Sequence, residues 1–268
     1  MEKLPDWVPE GVEVTVPNAA RIYDYLLGGY HNFAVDREFV DKMETIAPGA
    51  IAHGHANRAF VGRSVRWLAA SGVRQFLDVG SGIPTLGNVH EVAQSVAPDA
   101  RVMYVDIDPV AVAHSRAILA GNPLAGIVEA DLTKPGEVLF HPEVTRLLDF
   151  SQPVAVLLNA VLHFVPDSAD PPTIMAQIRD TLVRGSYLAV THGIEIDRWR
   201  REAADVKELY ENTPTSTHAR TPDQIRALFD GLEMVEPGLV MVNDWHPDPD
   251  TADGPVVEGL VAGVGRKP

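Results

Sequence analysis

The chain of 268 residues contains no cysteine. Disulfides, thiol nucleophiles and cysteine-built zinc or iron–sulfur sites are therefore excluded. It also lacks a long apolar run. The longest, near Val154–Leu158, is far too short to cross a bilayer. The start, Met1 to Glu10, carries Pro5, Asp6 and Pro9 and has no apolar stretch of the signal-peptide kind. These features point to a cytoplasmic protein without a membrane partner. Basic residues are scarce, 22 against 37 acidic ones, for a net charge of −15. A surface of that sign repels a nucleic-acid backbone. The densest basic run, Arg198, Arg200 and Arg201, is flanked by Asp197 and Glu202, so nucleic acid is not an expected partner. There is no Walker A loop, no Gly-x-Ser-x-Gly elbow and no internal repeat. His53-Gly54-His55 is no metal pair, because alternate positions on a helix splay the two rings apart.

Apolar residues make up 46% of the chain, enough for a sizeable core. The first seventy residues read as helical. Asn18 is a good N-cap for Ala19–Leu27, with Ile22, Tyr23, Leu26 and Leu27 on one face. Gly28-Gly29 stops that helix. Asp36 is expected to cap a second helix to Ile46, and a third runs from Ile51 to Ala70. After Gly72 short β-rich runs alternate with helical ones. Strands are expected at Gln75–Val79, Val102–Asp106, Gly126–Ala130, Val154–Asn159 and Tyr187–Thr191. Helices are expected at Leu86–Ala97, Val110–Ala120, Thr173–Val183, Asp197–Glu211 and Thr221–Phe229. Such alternation means βαβ units and a mostly parallel sheet. Gly238–Trp245 and Val256–Val264 have no helix between them and should pair as an antiparallel hairpin. The expected division is a helical extension over 1–72 packed on an α/β core over 73–268.

The first strand runs into Asp78-Val79-Gly80-Ser81-Gly82. Glycines at 80 and 82 let a ligand approach the backbone. Alone, this turn also suits a plain tight connection. The second strand ends on Asp106, where a carboxylate can accept both ribose hydroxyls of an adenosine, in NAD and in S-adenosylmethionine alike. Asp108 before Pro109 reads as a helix cap. Two features separate the cofactors. Asp131, after the third strand, can accept an adenine amino group, and Thr85 stands where a dinucleotide fingerprint wants its third glycine. Asn159 ends the fourth strand, on the side of the methionine end or the substrate.

The runs "FLDVGSG", "VMYVDIDP", "VEADL" and "LLNAVLHFVPD" resemble motifs I to IV of class I S-adenosylmethionine-dependent methyltransferases. The segments "PNAARIYDYLLGGYHNFAVDREF" and "ARTPDQIRALFDGLEMVEPGLV" resemble one bacterial family more closely, the S-adenosyl methyltransferase family. The likeness runs from about Pro17 to Val264. It implies a Rossmann-like α/β fold with a seven-stranded, mostly parallel sheet and antiparallel last strands. It implies S-adenosylmethionine as cofactor and S-adenosylhomocysteine as product. By position, Asp78, Gly80, Ser81 and Gly82 would form the cofactor loop, Asp106 would hold the ribose, and Ile107 would lie against adenine. Asp131 and Leu132 would take the adenine edge, and Asn159, Ala160 and His163 would line the fourth-motif side. Arg21, Tyr23, Tyr25, Gly28, Tyr30, Asn32 and Asp36 are polar and aromatic for a scaffold helix. They suit a lid over the cofactor or ordinary packing.

The expected activity is in-line methyl transfer to oxygen or nitrogen of a small molecule. The fourth motif is not the Asn-Pro-Pro-Tyr type associated with amide or nucleobase nitrogens, which argues for small acceptors. His163 is the most obvious general base, or merely lines the pocket; His53, His55 and His192 are others. A non-catalytic S-adenosylmethionine sensor is an alternative. An NAD-dependent oxidoreductase is disfavoured by Asp131 and Thr85.

Overall fold

The computed structural model describes residues 8, 12–84, 87–194, 196, 200–211, 213, 215–248 and 256–268. Asn18 caps α1 (Ala19–Leu26), its Oδ1 accepting from the Ala20 and Arg21 amides. Two helices follow, α2 (Ala34–Ile46) and α3 (Ala50–Ala70). Asp36 is not the N-cap of α2. It is the third helical residue and reaches back to the Phe33 amide at 2.8 Å. The same carboxylate takes the Asn18 amide at 3.0 Å and Arg21 Nε at 2.9 Å. One buried acid thereby ties together the starts of α1 and α2.

The chain then alternates through β1 (Gln75–Val79), α4 (Val89–Val96), β2 (Arg101–Asp106), α5 (Pro109–Leu119) and β3 (Ala125–Glu129). It continues through α6 (Pro135–Leu139), α7 (Pro142–Leu147), β4 (Ala155–Asn159), α8 (Pro171–Thr181) and β5 (Tyr187–Gly193). The last elements are α9 (Arg200–Glu211), α10 (Pro222–Ala227), β6 (Glu233–Met234), β7 (Val240–Met241) and β8 (Leu260–Arg266). The parallel strands fall within two residues of the β-rich runs that predict them. α4 starts later than expected, after Asn88, whose amide bonds Glu91. Thr85 and Leu86 lie outside the described residues, as do positions 197–199 at the expected start of α9.

The strand order is β3-β2-β1-β4-β5-β8-β6, with β7 also beside β8. The first five strands are parallel, and β8 runs antiparallel to β5. β6 and β7 lie end to end along the free edge of β8, so eight strands make a sheet seven positions wide. The expected strand Gly238–Trp245 is cut to two residues. Val242–Asp244 turns into a 3₁₀ helix, and Arg63 of α3 takes the carbonyls of Val242 and Trp245.

Alternation along the strands builds two cores. Leu77, Val79, Met103, Val105, Val156 and Leu158 face Ile174 and Ile178 of α8 and Ile225 of α10. Phe76, Val102, Tyr104, Ala155 and Leu157 face Phe60, Val65 and Leu68 of α3. A third cluster joins Ile22 and Leu26 of α1, Phe39, Val40 and Met43 of α2, and Tyr210 of α9. This cap draws on segments far apart in the sequence. α3 packs mainly into the sheet's core, and α1 and α2 into the cap. No described helix is long and apolar enough to cross a membrane.

Candidate functional site

β1 lies between β2 and β4, and the chain reverses direction across the sheet there. Open α/β sheets form a crevice at such a point, outside the carboxyl ends of the strands. Gly80 leaves β1 with φ +71°, and a Cβ on it would lie 2.3 Å from Val161 Cγ2. Glycine is required there twice over, by conformation and by space. The Gly80 amide donates to the Val105 carbonyl at 2.8 Å, and the Gly82 amide to Asp106 Oδ2 at 2.7 Å. The turn is thus fastened to the end of β2. The second Asp106 oxygen accepts from the Asp108 amide at 2.9 Å. Asp108 caps α5 as its sequence predicts.

Period-2 alternation puts Asp78, Asp106, Asn159 and Thr191 on the face that α3 covers, and His192 on the other. Above those residues is a cavity of about 950 Å³. Asp78, Gly80, Ser81, Gly82, Asp106, Ile107, Asp131, Leu132, Asn159, Ala160 and His163 are all on its wall, with Tyr23 of α1. The other residues expected in a lid are placed elsewhere. Arg21 is buried against Asp36 and donates to the Glu13 and Val16 carbonyls. Asn32 donates to Asp24 Oδ2 and the Gly29 carbonyl. Tyr25 packs on the cap cluster, and Tyr30 is 89% exposed. The polarity of Arg21 and Asn32 serves the α1–α2 corner.

Two carboxylates at the cavity floor are strained electrostatically. Burial pushes Asp78 up to about 7; Arg58 opposes the shift and Asp106 adds to it. Burial likewise pushes Asp106 up to about 6, against the Asp108 and Gly82 amides. Both environments favour a cation placed among them. Arg58 Cζ lies 5.6 Å from the Tyr23 ring centroid. The Tyr23 hydroxyl accepts from Asn57 Nδ2 at 2.7 Å, and Asn57 Oδ1 accepts from Thr191 Oγ1 at 2.6 Å. Thr191 Oγ1 in turn accepts from the Ala160 amide at 2.8 Å. This chain couples α1, α3 and β5 to Ala160, whose φ of +52° is unusual for alanine.

Several buried polar atoms on the wall have no hydrogen-bond partner: Ser81 Oγ, both amide atoms of Asn159, Arg58 Nε and His163 Nδ1. Such atoms are rare in folded proteins, and their gathering on one wall marks where a polar ligand completes their bonds.

His163 sits in the 3₁₀ turn Leu162–Phe164. Burial, with His192 and Arg220 nearby, pulls its pKa down to about 3. It is neutral near pH 7 and a weak base. His192 is off the cavity wall. Its Nε2 accepts from Arg220 at 2.9 Å and its Nδ1 donates to the Gly193 carbonyl at 2.6 Å, the tautomer these partners dictate. His53 is on the wall, whereas His55 is exposed on another face of α3. Arg220, 4% exposed, also donates to the carbonyls of Leu162 at 2.7 Å and Val165 at 2.8 Å. It fixes the loop that carries Ala160 and His163. Neither Arg220 nor the Asn57–Arg58 pair stood out in the sequence.

The S-adenosyl methyltransferase family profile matches residues 5–268. The chain belongs to the S-adenosyl methyltransferase family. A crystal structure of a DUF574 family protein from Streptomyces avermitilis MA-4680 is 40% identical, covers 95% of this chain and 99% of its own, and superposes with a TM-score of 0.89. A candidate methyltransferase from Thermobifida fusca YX is 41% identical over 98% of this chain and 99% of its own, also with a TM-score of 0.89. An O-methyltransferase family protein from Burkholderia thailandensis, 13% identical with a TM-score of 0.52, covers 81% of this chain and 59% of its own and shares the fold. No curated protein matches the chain. The cofactor of an S-adenosyl methyltransferase is S-adenosylmethionine, and the residues present fit it. The unpartnered atoms of Ser81, Asn159 and His163 offer bonds to a polar ligand, and the buried Asp78 and Asp106 offer charge to a cationic one.

Proposed function

We propose that this chain transfers the methyl group of S-adenosylmethionine to a small-molecule acceptor and releases S-adenosylhomocysteine. One observation carries the reading. Unpartnered buried polar atoms and two acids raised by burial share one cavity wall at the switch point of the sheet. When bound, S-adenosylmethionine supplies a methyl group made electrophilic by its sulfonium. The residues of the chain bind, orient and exclude water. Gly80, Ser81 and Gly82 present backbone and a free hydroxyl to the methionine end. Asp106 holds the ribose hydroxyls, with Ile107 against the adenine face. Asp131 and the Leu132 amide take the adenine edge. Asp78 and the Tyr23 ring favour positive charge, and the Asn159 amide and the Ala160 backbone hold the end nearest the acceptor.

α1, α2 and α9 form the cover. A cavity beneath a helical cap, of a size within the roughly 300–1,000 Å³ usual for small-molecule sites, suits an acceptor that is enclosed. Holding the acceptor in line with the methyl group accounts for roughly 7–11 kcal/mol of barrier lowering in well-oriented reactions. His163 lines the site and accepts or donates a hydrogen bond there; it does not serve as a strong base. Methyl-labelled S-adenosylmethionine incubated with the protein and a metabolite extract should yield a labelled small molecule. A folded, cofactor-binding protein that labels no extract component would favour a sensor instead.

A further inference from the structure

The cavity extends past Asn159 into a second half walled by the cap. Ile22 and Leu26 of α1, Met43 of α2, Val206 and Tyr210 of α9, and Phe164 enclose it. These are apolar or aromatic bodies, and burial drives the Tyr210 hydroxyl above its ordinary pKa. α9 adds one carboxylate to the wall, Glu202. Among the described residues, Arg58 is the only lysine or arginine on the whole wall, and it already lies beside Asp78. A carboxylate or phosphate on the acceptor would be desolvated here with no described cation but Arg58 to meet it, which is costly. Where this half opens onto the floor, the Asn159 amide and His163 Nδ1 are buried and unpartnered. Asn159 Oδ1 and His163 Nδ1 can accept N–H hydrogens of an incoming group and aim its lone pair. His192 points to the opposite face and is bonded to Arg220, and His53, which is on the wall, has its two ring nitrogens against the Gly49 and Glu258 carbonyls. A hydroxyl acceptor would therefore find no free imidazole base among the described residues.

We infer that the acceptor is an amine on an apolar, aromatic body without carboxylate or phosphate, and that it is methylated on nitrogen. This rests on the methyl-transfer reading above and deepens it. The amine enters in its neutral form, having left its proton in water. Its lone pair forms the new bond to the methyl carbon as the carbon–sulfur bond breaks, with that pair going to sulfur. The products are neutral S-adenosylhomocysteine and an N-methylammonium, which gives its extra proton to water. No protein base is consumed.

The test titrates the full chain, saturated with S-adenosylhomocysteine, with benzylamine, phenethylamine and naphthylmethylamine and with the isosteric acid of each. The amines should bind about tenfold or more tighter than their acids. Glu202→Gln should narrow that gap several-fold, and Val206→Lys, which puts a cation on the wall, should reverse it. Turnover with S-adenosylmethionine should place the methyl group on nitrogen. Acids that bind as well as the amines, or no binding across the amine panel, overturn the inference while leaving methyl transfer standing. Methyl transfer to oxygen of the matching alcohols, in preference to the amines, overturns it as well. Failure of S-adenosylhomocysteine itself to bind overturns the methyl-transfer reading and this inference with it.

Discussion

A carboxylate that is comfortable in water is costly in a closed cavity, and Asp78 shows what that cost is for. Its pKa of about 7, and about 6 for Asp106, mean that both acids are partly protonated near neutrality before a ligand arrives. A ligand cation favours their charged forms, so binding releases protons. Affinity for S-adenosylmethionine should rise with pH through 6 and 7, by up to about tenfold per pH unit for each proton released, and level off above 8. S-adenosylhomocysteine lacks the sulfonium charge and should show a shallower profile. Asp78→Asn should flatten both, as calorimetry from pH 6 to 9 would reveal; an unchanged slope in that variant contradicts the assignment. Stability runs the other way. The folded pKa of Asp78 lies above its ordinary value of 3.8, so its contribution is full below that value and is lost as pH rises through about 7. Asp78→Asn should therefore raise the Tm of the ligand-free protein at pH 8, by roughly 2–8 °C. Asp78, Asp106 and Asp131 were legible in the sequence because each stands at or just past the carboxyl end of a strand at motif spacing. Arg220 and Asn57 were not. Their partners are carbonyls and a hydroxyl brought together only by the fold.

Elements meet most tightly where the turn after β1 touches the loop after β4. Gly80→Ala would force a Cβ to within 2.3 Å of Val161 and hold alanine at φ +71°. We expect a loss of about 2–4 kcal/mol in urea unfolding, the steric and conformational costs together. Adding Val161→Ala should recover the steric share only, so the double variant should fall between Gly80→Ala and wild type. Equal losses in the single and double variants would show that Val161 is not the obstacle. β1, β2, β4 and β5 were legible because they are buried on both faces and read as short apolar runs. α6, α7 and β6 were not, since each is too short to establish a period. β7 is cut short by Arg63, a partner more than 170 residues away along the chain.

Across the whole molecule, a mostly parallel sheet fills both of its faces and leaves its crevice to a cap from α1, α2 and α9. The α/β class and the antiparallel close were readable from the order of the runs. The cap was readable only in part. Phe39 and Tyr210 meet with ring centroids 4.8 Å apart, yet they stand far apart along the sequence. Tyr23 is on the cavity wall, whereas Arg21 and Asn32 are bonded within the α1–α2 corner and Tyr25 packs on the cap cluster. A cavity closed by the cap on one side and the glycine turn on the other should take one adenosyl ligand per chain. The decisive measurement is a calorimetric titration of the full chain with S-adenosylmethionine, S-adenosylhomocysteine and NAD at pH 8. Saturable binding of the first two and none of NAD is expected. A folded protein that gives no heat with S-adenosylmethionine, or that binds NAD in its place, contradicts the assignment of this cavity.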